Sequence, residues 1–203
     1  MNLLHIPSRL LLAASLMQAG ALFDGRTLEG WTQSRINWEV RDGALHSLGP
    51  GPTLAWTVRK LPADFDLTFE WKVERDGNSG IHYRGGAFEY QILDNSYKQA
   101  TPKTRAGSLY NIAGAPEDAT KPVGEWNTGR IECQGTRIRH WLNGRVVADV
   151  DTAVPQWAEA LAAERERRLK IQAPGPAREG WLALSAHTSQ VWFRNLRLAA
   201  GTP

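Results

Sequence analysis

The sequence predicts an all-β sandwich, and three features carry that prediction. From Leu22 onward, short runs rich in Val, Ile, Phe, Tyr and Trp recur between turn signals, the spacing of antiparallel sandwiches and barrels. Residues 65–74 alternate strictly: Phe65, Leu67, Phe69, Trp71 and Val73 fall on one face of an extended chain, and Asp66, Thr68, Glu70, Lys72 and Glu74 on the other. Asp42-Gly43 and Asn143-Gly144 each stand between two β-rich runs, where they suit tight hairpins because they tolerate positive φ.

The elements follow in order. Asn37 to Val40 leads through Arg41-Asp42-Gly43 into Ala44 to Ser47, and the alternating strand comes next. After a turn at Asp76-Gly77-Asn78, strands are expected over Ser79 to Arg84 and Phe88 to Leu93. Arg130 to Cys133 turns at Gln134-Gly135 into Arg137 to Leu142, which turns at Asn143-Gly144 into Arg145 to Val150. Trp181 to Ser185 and Gln190 to Leu198 complete the pattern. The exception is Pro155 to Leu169, read as one short amphipathic helix because Pro155 suits the N1 position and Trp157 and Leu161 recur at helical spacing. Ala173-Pro174-Gly175-Pro176 is a breaker.

The chain has 203 residues, enough for one well-buried core and a single domain. Hydrophobic residues at 42% and charged residues at 22% exclude a disordered chain and a polytopic membrane protein. A net charge of +3 arises from 24 basic and 21 acidic residues mixed along the chain, so no basic stripe exists and nucleic acid is not an expected partner. Nine tryptophans suit a large β core and also sugar binding, in which an indole face stacks on a pyranose. Cys133 is the single cysteine, so no internal disulfide forms, and its alternation with Ile131 assigns it to the core.

The N-terminus reads MNLLHIPSR, then LLLAASLMQ, then Ala19-Gly20-Ala21. That is the layout of a secretory leader with a basic start, a short apolar stretch and an A-x-A site. Residues 1–21 are therefore expected to be the leader and 22–203 the mature domain, periplasmic or secreted. The apolar run is too short to span a bilayer, and no cysteine follows it to carry a lipid.

P-loop, G-x-S-x-G and H-E-x-x-H motifs are all missing, and so is any Cys/His metal spacing. Four polar groups remain. Gly80, His82 and Arg84 share a strand face; Glu89 and Gln91 share another, followed by Asp94; Glu125 and Trp126 precede His140 and Trp141 on a neighbouring hairpin; His187 lies at the turn between the last two strands. A Glu and a Gln two residues apart in an otherwise apolar strand require partners, which Arg84 or a ligand supplies. Glu89 paired with Arg84, and Trp126 and Trp141 packed in the core, are the structural alternatives.

FDGRTLEGW, NSGIHYRG, EYQILDN, GSLYNIAGAPEDATKPVGEWNTGRI, RHWLNG and VWFRNLRL, in that order from Leu22 to Leu198, together resemble the 3-keto-disaccharide hydrolase family. The resemblance implies a concanavalin A-like jelly roll, export and an oxidised saccharide as substrate. One stretch departs: the family often carries L-Q-D-H-G where this chain has Leu184-Ser185-Ala186-His187-Thr188, so the histidine stands without the Gln, Asp and Gly. A noncatalytic carbohydrate-binding module is the alternative that this departure keeps in view.

A ketone at C3 of a glucoside acidifies the C2 proton, so a base can remove it and the C1 oxygen then leaves. His187 and His140 are the candidate bases, Arg84 and Tyr110 the candidate oxyanion donors, and Glu89 and Glu125 the candidate acids or histidine partners. Gln91, Asp94, Trp126 and Trp141 complete the expected binding set, and Asp94 with Glu89 is a candidate oxygen pair for a divalent cation.

Overall fold

In the computed structural model, residues 20–32, 37–97, 100–170 and 180–200 are described. In chain order the strands are β1 (Gly20–Ala21), β2 (Trp38–Arg41), β3 (Ala44–Ser47), β4 (Gly51–Ala55), β5 (Phe65–Val73), β6 (Asn78–Tyr83), β7 (Phe88–Leu93), β8 (Asn127–Gln134), β9 (Arg137–Leu142), β10 (Arg145–Asp151), β11 (Ala183–Ala186) and β12 (Val191–Ala200). A 3-10 turn over Pro155–Trp157 leads into the helix α1 (Ala158–Lys170). The first 19 residues of the expected leader and the Ala173–Pro176 breaker lie outside the described residues. Gly20 and Ala21, expected at the leader's end, pair with Leu198 and Arg197 of β12.

The hairpins form where the turn residues demand them. Asp42 and Gly43 have φ of 51° and 74°, and Asn143 and Gly144 have 50° and 79°, positive at both central positions as two-residue loops require. One sheet runs β10-β9-β8-β5-β12-β3-β2, with β1 also on β12. The second runs β4-β11-β6-β7, and the chain crosses between the two repeatedly, as a jelly-roll sandwich does. β4, which carries Pro52 and was not expected from the sequence, is an edge strand, the position at which a missing ladder donor is tolerated.

The core lies between the sheets. The apolar face of β5 is buried as its alternation predicts, with Phe65, Leu67 and Trp71 fully enclosed. From the smaller sheet, Leu54, Ile81, Tyr83, Tyr90, Ile92 and Leu184 meet it, all with 0% exposure. Phe65 contacts Tyr83 edge-on at 5.9 Å and Phe69 contacts Tyr90 at 5.1 Å, the geometry aromatic quadrupoles favour. Since strand neighbours alternate faces, the residues between these core positions point to the outside of the four-stranded sheet. Among the described residues no helix is long and apolar enough to cross a membrane.

The helix differs from expectation in how it docks. Trp157 and Leu161 are only partly buried, and the residues of α1 that are buried are Glu164 and Arg168. These stand four apart on one helix face, so charge and hydrogen bonds to β7 join the apolar packing of Trp157, Ala160 and Leu161 against the core in holding α1.

Candidate functional site

The outer face of the four-stranded sheet, closed on one side by α1 and Tyr110, carries a cavity of about 690 Å³. Cross-strand register builds its floor. Ala55, Ala183, His82 and Glu89 form one row across β4, β11, β6 and β7, and Gly80 faces Gln91 one step along. Ser185, also lining the cavity, bonds the Gly80 carbonyl through its hydroxyl at 3.4 Å.

Glu89 is the centre of the polar part. Its Oε2 accepts from Arg168 Nη2 at 3.0 Å and lies 3.8 Å from His82 Nδ1. Gly80 makes room for the carboxylate: a Cβ there would lie 2.9 Å from Glu89 Cγ, closer than side chains approach. Arg168 also donates to Glu164 at 2.7 Å and to the Gly86 carbonyl at 2.8 Å, and its Nη1 approaches His82 Nδ1 at 3.4 Å. Glu164 is held further by Arg167 at 2.6 Å and by the Asn111 amide at 2.8 Å. Although burial opposes it, these donors hold the Glu164 carboxyl below its ordinary range.

Burial pushes the His82 imidazole below its ordinary value, with the Glu89 charge pulling the other way and Arg168 reinforcing the shift. The ring is therefore neutral near neutral pH. Because a guanidinium only donates, Arg168 assigns the Nδ1 lone pair of His82 as an acceptor and leaves the ring proton on Nε2. Burial raises the Tyr110 phenol, whose ring lies under the Arg167 guanidinium at 5.3 Å. Gln91 is 4% exposed, lines the cavity, and its Oε1 has no hydrogen-bond partner among the described residues. A buried acceptor without a donor is costly, and a ligand hydroxyl would satisfy it. His187 stands at one end with an exposed side chain, anchored through its own N–H to the Asn78 carbonyl at 3.1 Å.

Four residues expected from the sequence meet at this cavity: Glu89, Gln91, Tyr110 and His187. Six lie elsewhere. Arg84 ends the β6 face because the chain turns there with φ of 47°, and its guanidinium donates to the Ala63 and Gly135 carbonyls at 3.1 and 2.8 Å; Glu89 is paired with Arg168 instead. His140 is a core residue of 0% exposure between the sheets, bonded to the Tyr83 hydroxyl at 2.7 Å and the Gly107 carbonyl at 3.0 Å. Glu125 is exposed in the loop before β8. Trp126 and Trp141 are partly buried, under Arg194 at 3.9 Å and Arg130 at 4.3 Å. They lie on the far side of the molecule, on the outer face of the eight-stranded sheet, rather than in the core.

Asp94 closes a local turn, accepting from Ser96 Oγ at 2.7 Å and from the Asp76 N–H at 3.0 Å. Burial raises its carboxyl, but these donors outweigh it and hold the group below its ordinary range. It does not share a cavity with Glu89, so the expected pair of oxygen ligands is not brought together. Among the described residues no group of three or more His, Cys, Asp or Glu side chains is placed to hold a metal ion.

Arg167, Arg168 and Trp181 line the site without having been singled out for it, and His82, grouped with Gly80 and Arg84 but given no role, lines it too. His82 was visible as a neighbour of Gly80 on one strand face, whereas nothing local in the sequence marks Arg168 as the partner of a residue 79 positions away.

Residues 18–199 match the family model described as the 3-keto-alpha-glucoside-1,2-lyase-like domain. A Bacteroides thetaiotaomicron protein named 3-keto-disaccharide hydrolase is 29% identical over 222 residues, covering 87% of this chain and 76% of that protein. Among solved structures, a candidate glycosyl hydrolase from Parabacteroides distasonis superposes with a TM-score of 0.73 at 22% identity, covering 97% of this chain and 98% of its own. The carbohydrate-binding module CBM66 from Bacillus subtilis superposes with a TM-score of 0.52 at 13% identity, covering 84% and 96%. At those identities the structural likenesses establish the fold alone.

Proposed function

The chain belongs to the 3-keto-α-glucoside-1,2-lyase-like domain family, and from that premise we propose that it is a carbohydrate-active enzyme that cleaves 3-keto-glycosides by elimination. The observation that supports this reading is the convergence of His82, Glu89, Gln91, Arg168 and His187 on one cavity of about 690 Å³, a volume in the range that encloses small ligands.

In this reading His187, at the accessible end, takes the proton from C2 beside the C3 ketone. The electrons move into a C2–C3 enediolate, and His82, kept neutral by burial with its proton on Nε2, donates to the oxygen that gains charge. The enediolate then collapses to the C3 ketone with a C1–C2 double bond as the C1–O bond breaks, the leaving oxygen takes the proton that His187 carries, and water adds to the resulting glucal. Arg168 holds the Glu89 carboxylate beside His82, and Gln91 Oε1 accepts a sugar hydroxyl. The basic, apolar and A-x-A segments of the N-terminus support export through a cleaved leader, which sequencing the N-terminus of protein recovered from the expressing cell tests.

The test is to incubate the purified protein with a 3-keto-glucoside and with its unoxidised parent, with and without EDTA, and follow aglycone release. Release from the keto sugar alone, lost in His187→Ala, is the expected result, and the EDTA arm reports whether a cation takes part. Binding of both sugars without release from either would overturn the enzyme reading and leave a carbohydrate-binding module.

A further inference from the structure

We infer that the half of this cavity lying over β4 and β11 receives the leaving group, and that Ala55 and Ala183 limit its size. The inference rests on the reading that 3-keto-glycosides are cleaved here, and it follows from an asymmetry in the floor. The charged and imidazole side chains lining the cavity, His82, Glu89, Arg167, Arg168 and His187, all belong to β6, β7, α1 or the loop after β11. Across the sheet stand Thr32, Thr53, Ala55, Ala183 and the Trp181 indole, none of them charged. Within a single row the side chains grow from methyl groups at Ala55 and Ala183 to imidazole and carboxylate at His82 and Glu89.

Proton transfer needs the acid and base groups within hydrogen-bond reach of the reacting atoms, so C1, C2 and C3 of the oxidised ring sit over β6 and β7. The substituent on C1 then projects toward β4. On that side Thr32 exchanges bonds with Ala55, accepting from its N–H at 2.9 Å through the hydroxyl and donating its own N–H to the Ala55 carbonyl at 2.7 Å. A floor of methyl groups beside an indole suits a neutral ring that presents a C–H face, as a pyranose does. It offers nothing to a charged leaving group.

The experiment compares two substrates that share the oxidised glucosyl ring, one with a methyl aglycone and one with a second pyranose. In Ala55→Leu, and independently in Thr53→Leu on the same strand, added side-chain carbons fill the proposed leaving-group side. Either variant is expected to lower kcat/KM for the disaccharide by about tenfold or more while leaving the methyl glycoside within about twofold, with thermal unfolding showing that the variants fold. Equal losses on both substrates in folded variants would overturn the inference. If the wild type turns over neither substrate, the elimination reading fails, and calorimetric binding of the unoxidised methyl glycoside and disaccharide decides this one separately. Tighter disaccharide binding that Ala55→Leu abolishes supports the second-ring site, and equal binding of both sugars removes it.

Discussion

The guanidinium of Arg168 lies 3.0 Å from the Glu89 carboxylate, with 8% of each side chain exposed. Two charges that are costly to bury alone are thereby neutralised against each other. Since Arg168 also grips Glu164, the same side chain fixes α1 on the smaller sheet and shapes the wall of the cavity.

Breaking that pair from one side should cost more than breaking an exposed one. Arg168→Met leaves Glu89 buried without its partner, and a loss of about 3–5 kcal/mol is expected. Lys170→Met, which breaks an ion pair with Glu166 whose side chains are 72% and 66% exposed, should cost about 1 kcal/mol or less. Urea unfolding of the two variants measures the difference, and similar small losses in both would show that Glu89 does not depend on Arg168.

His140 makes stability fall in acid. Burial pushes its imidazole down to about 4, and its ring is neutral, accepting from the Tyr83 hydroxyl and donating to the Gly107 carbonyl. The unfolded ring takes up a proton as pH falls through about 6.5, and the folded ring resists until about 4. This contribution is therefore complete above the unfolded value and is lost as pH drops between the two, amounting to about 3 kcal/mol at the acid end. His82 is shifted in the same direction and adds to the slope. Denaturation of wild type and His140→Gln at about pH 7 and about pH 4.5 should show a flatter pH dependence in the variant; an unchanged slope would refute the assignment.

How far the sequence reaches differs from residue to residue. The alternation that buries Phe65, Leu67, Phe69, Trp71 and Val73 is a local property, and the face shared by Glu89 and Gln91 is equally local, so both were legible. The same rule places His140 in line with Ile138 and Leu142, whose apolar character already marks that face as core. Arg84 broke the rule because a positive φ turns the chain one residue after β6 ends. The pairing of Glu89 with Arg168 depends on where a helix docks through charge, which no periodicity records.

Gly80→Ala tests whether the carboxylate must sit where it does. The new methyl group would meet Glu89 Cγ at 2.9 Å and Cδ at 3.0 Å, so Glu89 must move away from Arg168 and His82. Misplacement of about 1 Å in a catalytic arrangement can cost about 100-fold in rate, and a drop of that order in kcat is expected with the β-sheet circular dichroism retained. Unchanged kcat would mean that the Glu89 position does not matter to turnover.

The tryptophans on the other sheet supply the opposite expectation. A pyranose stacks on an open indole face, but Trp126 lies under Arg194 at 3.9 Å and near Lys72 at 5.1 Å, while Arg130 covers Trp141 at 4.3 Å. Arg194 is itself held by Glu70 at 2.6 Å, so uncovering the ring would first require breaking an ion pair. These rings act as supports for the charged lattice that coats the eight-stranded sheet. Trp126→Ala should therefore lower stability by about 1 kcal/mol and leave kcat/KM for a 3-keto-glycoside within about twofold. A tenfold loss of kcat/KM in the folded variant would instead move substrate recognition to that face.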